Sequence, residues 1–453
     1  MYTLFYSFLS ILQVLFCVFF LVNGIRKGPS EIFFKPIYLF VAFFALIHFL
    51  LPLLQFLNSY FRYQVEYEYS SYLIVSINAF ICLALVVISN RIFDYYLIAH
   101  NIKNIKISID FRLVSKADQI FLFLVFAVSS FIIYRNINLI LSLGVSEYLK
   151  DRIAFSFSSG YLTLIPHWSY VVTVISFTVL VSGAKKYRKL IFTIVFFSSL
   201  LLTMVYYSLN SNRNSLFVLG ASCILVWFCL SKIKLRKKLF RLGTTIILMG
   251  VLFSLIGQLR YQYKNIEPVE GGGLSYKVIK TLNSGFGNNE NLLWLYENDF
   301  DYQLGSNYMA AFLNIIPRSL WPEKPLGAGP ALKNMIYPGS YVLGGDKNSS
   351  LTTGLITEAV MNFGWLGAYI LSVMCGLVFT LLSVFSLYVR KHSHPYVFAS
   401  VIIIFFAFSA QILYSEFMGW FSRFLFSLFP LIVWYFLYLI RAAFKIRRYT
   451  KCV

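Results

Sequence analysis

Four cations and one acidic segment hold most of the chemistry this sequence can offer. Arg213 lies in Ser208-Leu-Asn-Ser-Asn-Arg-Asn-Ser215, and Arg260 in Gln258-Leu-Arg-Tyr261. Arg318 and Lys324 share the segment Ile315-Ile-Pro-Arg-Ser-Leu-Trp-Pro-Glu-Lys-Pro325. Any one of them alone reads as a side chain reaching from a helix end to lipid headgroups. The proline-rich segment adds something more. Pro317, Pro322 and Pro325 remove backbone donors and fix φ, so this stretch cannot be an ordinary helix. A stiff loop loses little entropy on binding an anion. Arg offers a planar fork for phosphate oxygens and Lys a point charge, so the group suits a pyrophosphate at a lipid–water boundary.

The acidic segment is Leu351-Thr-Thr-Gly-Leu-Ile-Thr-Glu-Ala-Val-Met-Asn-Phe-Gly-Trp-Leu-Gly367. Thr352 or Thr353 can cap a helix there. Glu358, Asn362 and Trp365 then fall at i, i+4 and i+7 on one face. Glu358 can be a first-turn carboxylate favoured by the helix dipole, with Asn362 bonding a neighbour. It can equally orient, or take a proton from, a sugar hydroxyl. Trp321 and Trp365 are the aromatic candidates for sugar contact. His48, at depth in the second apolar run, reads as hydrogen-bonded between helices. His392 and His394 lack Cys or carboxylate company and do not read as a metal site. The six cysteines include no CxxC, and all but Cys452 sit in apolar runs, as small core residues do. No cofactor is expected.

These residues must be positioned by a membrane protein. The chain is 59% hydrophobic and 13% charged, with mean hydropathy +0.72. That leaves too little polar side chain to cover a soluble surface. Nucleic-acid binding, a secreted disulfide scaffold and a soluble metalloenzyme are excluded on this ground. Continuous apolar runs of about 20 residues predict about eleven membrane helices and not a barrel. The runs lie near 3–23, 36–57, 71–90, 118–134, 161–182, 190–209, 214–231, 242–259, 359–388, 395–415 and 421–440, and none is expected to hold a charge at mid-depth. Placing the amino terminus outside assigns 25 of the 39 Lys/Arg to inner segments and 14 of the 18 Asp/Glu to outer ones. By the positive-inside rule the carboxyl terminus is then cytoplasmic, and the net charge of +21 meets anionic lipid on the inner face. The expected organisation is a bundle over 1–259, an extracytoplasmic loop over 260–351 with a segment that dips to the membrane surface, and closing helices over 352–453.

The Pro-Arg-Ser-Leu-Trp-Pro-Glu-Lys-Pro segment, the Thr-Glu-Ala-Val-Met-Asn-Phe-Gly-Trp-Leu-Gly segment and the Asn-Arg-Asn before the seventh run resemble those of the Wzy-type oligosaccharide repeat-unit polymerases. The hydropathy profile and the long outer loop extend the resemblance over most of the chain. At Arg213 the sequence reads Ser-Asn-Arg-Asn where many members read Ser-Arg-Gly. The resemblance implies an all-helical membrane glycosyltransferase of the GT-C type in the bacterial inner membrane, working without a metal. Donor and acceptor would be undecaprenyl-pyrophosphate-linked glycans of the O-antigen or capsule kind. The acceptor hydroxyl would attack the anomeric carbon of the donor, and undecaprenyl pyrophosphate would leave. Fixed Arg and Lys would stabilise charge on that leaving group. A chain-length regulator and a flippase are the partners implied. The rival readings are a flippase or transporter for lipid-linked glycans, expected to carry intramembrane charges or repeated halves, and an O-antigen ligase, expected to carry a His in the outer loop.

Overall fold

The computed structural model describes residues 2–27, 35–63, 65–97, 114–150, 160–183, 186–210, 212–231, a few positions within 233–244, and 274–314, 316, 320–342, 350–391 and 394–450. Among them every regular element is a helix. Eight are long and apolar enough to cross a membrane. They fall within α1 (Tyr2–Lys27), α2 (Pro36–Leu57), α3 (Tyr69–Leu97), α4 (Lys116–Leu143), α6 (Lys186–Leu209), α12 (Leu355–Lys391), α13 (Pro395–Tyr414) and α14 (Phe417–Thr450). Two shorter apolar helices, α5 (His167–Val181) and α7 (Arg213–Leu230), match two further expected runs. At about 1.5 Å per residue, the 15 residues of α5 fall short of a hydrocarbon core of about 30 Å. Ten of the eleven expected runs thus correspond to helices, eight long and two short, among the described residues. The run at 242–259 lies outside them. Four more helices come from the expected outer loop: α8 (Leu274–Phe286), α9 (Asn289–Glu297), α10 (Ser306–Leu313) and α11 (Ala328–Ile336).

Two apolar cores hold the bundle together. One joins α1, α2, α3, α9, α11 and α12, with Phe40, Phe44, Leu83, Leu292, Leu332 and Met361 fully enclosed. The other joins α4, α5, α6, α7 and α14, with Val172, Val226 and Trp434 inside. Helix α13 belongs to both, its amino-terminal half to the second and its carboxyl-terminal half to the first. Between apolar helices in lipid, packing and interhelical hydrogen bonds replace the hydrophobic drive. Accordingly, Asn90 of α3 donates to Thr380 Oγ1 of α12 at 2.9 Å. Thr203 of α6 donates to Ser169 Oγ of α5 at 2.7 Å.

The helix ends sort into two groups. At one end Asp118 accepts from Trp434 Nε1 at 3.0 Å and lies 3.6 Å from His394 Nε2 and 3.5 Å from Arg441. Lys35 and Asp94 pair at 3.2 Å. At the other end lie the residues 55–67, 288–305, 351–362 and 413–417, joined to one another by hydrogen bonds. Segments expected on one side of the membrane therefore meet their own kind. Here α9 acts as a polar staple. Asn288 donates to Leu413 O at 3.0 Å, Asn289 meets His48 Nδ1 at 3.3 Å, and Asn291 donates to Thr352 O at 2.8 Å and accepts from the Tyr63 hydroxyl. Glu290 accepts the Tyr63 N–H at 3.0 Å and a Gln55 amide hydrogen at 3.4 Å, while burial raises its pKa above the ordinary carboxylate value.

Candidate functional site

Of the residues singled out in the sequence, Glu358 and Asn362 lie at the staple end of the bundle. Glu358 stands in the first turn of α12 and is buried. Its Oε1 accepts the Thr353 hydroxyl at 2.5 Å and the Phe417 N–H at 2.7 Å, so it caps the start of α14. Oε2 has no partner and is shielded from solvent. Thr353 donates to Glu358 and does not serve as the expected cap of α12.

Asn362 lies one turn on, and both ends of its amide are used. Its Nδ2 donates to Glu358 O at 2.7 Å, and its Oδ1 accepts the Gly305 N–H at 2.8 Å, tying α10 to α12. Trp365 departs from the expected common face. Gly364 breaks the helix with φ 65° and ψ −167°, so Trp365 opens a new helical piece, packs partly into the first core and lies 6.5 Å from the Tyr369 ring. Trp321 is 40% exposed in the loop before α11.

Lys324 is buried, with its ammonium 2.8 Å from Ile316 O and 3.4 Å from Asn314 Oδ1. It braces the proline segment from inside. Arg318 and Arg260 lie outside the described residues. Arg213 is the first residue of α7, capped by Asn212, whose side chain accepts the Ser215 N–H at 3.2 Å. Asn214 next to it donates to Ser415 Oγ at 3.3 Å. Asn314, which supports Lys324, donates to Ser422 Oγ at 2.8 Å. Segments 208–215 and 351–367 therefore reach one short stretch, Ser415–Arg423 at the head of α14, and Asn314, the residue just before 315–325, reaches it too. The segment expected to dip to the membrane surface, Tyr308–Ile316, falls largely in α10. It packs Tyr308 and Phe312 against Phe417 and Phe421 and leaves Met309 and Phe312 more than half exposed.

That head carries two ionisable residues the sequence reading did not select. Glu416 lies just before α14. Its carboxylate accepts the Gly329 N–H at the start of α11, and a Cβ at Gly327 would stand 1.8 Å from its Oε1. Glu358 and Glu416 are thus two carboxylates at two helix starts. Burial pushes the Glu416 pKa up to about 7, with Gly329 and Arg423 working against it. Arg423 lies in the second turn of α14, near the start of its span. Its Nε donates to Gly419 O at 2.8 Å, and among the described residues it has no ion pair. It lines a cleft with His167, Tyr207, Ser215, Gln411 and Ser427, from α5, α6, α7, α13 and its own helix. The signal in the sequence was Gly-x-x-x-Arg just inside the last apolar run.

The metal-free expectation supposed that the chain has no Asp-x-Asp, but the sequence contains one, Asp299-Phe300-Asp301. Both carboxylates are exposed between α9 and α10, and no group of three or more His, Cys, Asp or Glu comes together among the described residues. No protein-family model matches the chain, and neither a curated protein nor a solved structure does.

Proposed function

We propose that this multi-pass helical protein is a repeat-unit polymerase of the Wzy kind. It would join undecaprenyl-pyrophosphate-linked oligosaccharides at the outer face of a bacterial cell membrane and release undecaprenyl pyrophosphate. The observation that carries the reading is the meeting on the head of α14 of segments 208–215 and 351–367 with Asn314, the residue just before 315–325. They belong to, or directly adjoin, the segments whose wording resembles that family. In this reading the acceptor hydroxyl attacks the anomeric carbon of the donor at the staple end. Arg213, Arg260, Arg318 and Lys324 would stabilise the departing pyrophosphate. Glu358 positions α14 in the conformation described. Its unpartnered Oε2 is the oxygen that would take or orient the hydroxyl proton once the α14 head shifts.

A flippase for lipid-linked glycans is the second reading, and Arg423 favours it, because a charged side chain facing a cleft between spans marks many transport paths. One reconstitution separates the two. Proteoliposomes would receive purified lipid-linked repeat units on one face. A ladder of joined repeats with stoichiometric undecaprenyl pyrophosphate supports the polymerase. Transbilayer movement of unaltered units without a ladder replaces it with the flippase.

A further inference from the structure

The corner that joins α13 to α14, residues 415–416, is held from two sides. On one side Glu358 Oε1 of α12 accepts the Phe417 N–H at 2.7 Å. On the other, the Glu416 carboxylate accepts the Gly329 N–H at the start of α11 and sits in a notch formed by two glycines. A Cβ at Gly327 would overlap Glu416 Oε1, and one at Gly329 would stand 2.9 Å from Oε2. The notch is therefore shaped around this side chain. Just before the corner, α13 widens into a π-helical stretch, Ala407–Gln411, a distortion of the kind found at functional positions and kinks. Trp420 Nε1 donates to Ala407 O at 3.0 Å, and the Trp420 backbone N–H donates to Glu416 O at 2.8 Å. The π stretch and the corner are thus tied to each other through α14.

The corner also covers polar atoms that nothing satisfies. Glu358 Oε2, Glu416 Oε1 and the Tyr308 hydroxyl are shielded from solvent and have no hydrogen-bond partner. All three belong to one place. Glu358 holds the peptide N–H that directly follows Glu416, and the Tyr308 ring lies 5.3 Å from that of Phe417. Burial, with the nearby Glu358 carboxylate, pushes the Tyr308 hydroxyl above the ordinary tyrosine range. Buried polar atoms without a partner are few in native structures, and each carries an uncompensated desolvation cost. Three of them around one peptide burden this conformation. Two carboxylate oxygens and a phenol hydroxyl are groups that alcohol O–H can pair with, since it both donates and accepts.

We propose that residues 415–417 form an autoinhibitory latch, with Glu416 as its bolt and the glycine notch at 327–329 as its keeper, closed over a subsite for sugar hydroxyls. Closed, the latch ties Glu358 Oε1 to the Phe417 N–H and hides Oε2, so no acceptor reaches that carboxylate. Withdrawal of Glu416 from the notch carries Phe417 with it, because the two residues share a peptide bond. Both oxygens of Glu358 are then accessible. Hydroxyls of an incoming glycan pair with the three atoms that the closed corner leaves unsatisfied, and this difference in contacts favours the open form. That the ligand is a glycan rests on the polymerase reading; the coupling of the two anchoring bonds does not.

The test is amide hydrogen exchange, read by mass spectrometry on the full chain in nanodiscs of zwitterionic lipid. Two peptides report on the latch, those carrying the Gly329 and Phe417 N–H groups. A peptide over Gly376, where α12 crosses α3, is the reference for global opening. Gly327→Ala expels the bolt, and the backbone there, at φ −67°, accepts alanine, so the variant isolates the clash. Both latch peptides should exchange roughly 10- to 150-fold faster while the reference keeps its rate, the loss of one charge-assisted bond. Glu416→Gln should speed both by a smaller factor, and it is the second variant should Gly327→Ala fail to fold. Acceleration of one latch peptide without the other, or of the reference equally, overturns the latch. The ligand probes are purified lipid-linked repeat units and undecaprenyl pyrophosphate without sugar. Repeat units should speed exchange at both latch peptides, and the bare carrier should not. Equal effects of the two probes, or slower exchange with repeat units, overturn the sugar assignment. Failure of the two proposals is distinguishable. Coupled exchange without polymerisation keeps the latch and removes the enzyme. Polymerisation with independent exchange of the two peptides keeps the enzyme and removes the latch.

Discussion

At the scale of single residues, Glu358 combines two demands that substitutions can separate. Its Oε1 holds Thr353 and the Phe417 N–H, so Glu358→Ala leaves both donors unpaired in a buried place. We expect a stability loss of about 1–3 kcal/mol, read as a lower melting temperature in detergent. Glu358→Gln keeps an acceptor oxygen and should melt within about 1 kcal/mol of wild type. If Glu358 only caps α14, Gln retains polymerisation; if Oε2 handles the acceptor proton, turnover falls while the melting temperature holds. Glu416 sets a pH dependence. Its folded-state pKa of about 7 lies above the ordinary 4.5, so the folded state binds the extra proton more tightly than the unfolded chain. The stability it contributes is complete below about pH 4.5 and is lost as pH rises through about 7. Melting temperatures between pH 5 and 8 should therefore fall with rising pH, by an amount worth at most about 3 kcal/mol, and Glu416→Gln should flatten the slope. A rise with pH in the wild type would contradict this account.

At the scale of elements, glycines decide how the segments meet. Gly376 lies where α12 crosses α3, and a Cβ there would fall 1.9 Å from Ser89 Oγ and 2.7 Å from Asn90 N. Gly376→Val should push these two helices apart and lower stability by about 1–3 kcal/mol or prevent folding. Protein yield and detergent melting temperature measure it. Gly354 sits just before α12 with φ +77°, and a Cβ would meet Leu413 O at 2.1 Å. Alanine there carries both a backbone strain and a clash, so the α13–α14 corner should loosen from α12. Gly364 shows why a periodicity argument fails locally. Spacing alone places Glu358, Asn362 and Trp365 on one face, but a single positive φ ends the register after Asn362. Within the expected outer loop, Asn288 and Asn291 are fully buried, because their amides satisfy backbone carbonyls of other segments.

At the scale of the whole molecule, the two-ended sorting of contacts permits a direct test of sidedness. Glu323 is exposed near the Glu358 end, and Lys116 is exposed at the Asp118 end. With the amino terminus outside, Glu323→Cys should react with an impermeant thiol reagent in cells with a permeabilised outer envelope. Lys116→Cys should react only after the cell membrane is broken. The reverse pattern would invert the orientation and remove the proposed site from the outer face. The all-helical, multi-pass class and most helix positions were legible in the sequence. They depend on apolar run length and hydrogen bonding within each segment, which are local quantities. The acidic turn and the proline segment were legible as well, through residue types that are rare in such a chain. What only the tertiary structure decided is which groups are already occupied. Lys324 is bound by Ile316 O, Asn362 by Gly305 and the Glu358 carbonyl, and Glu358 by the start of α14. Arg423, unremarkable as one cation near a span end, gained its place from helices contributed by residues 167–427 of the chain. Hydrogen-bond partners and charge compensation are set by neighbours far apart in sequence, and no window of residues contains them.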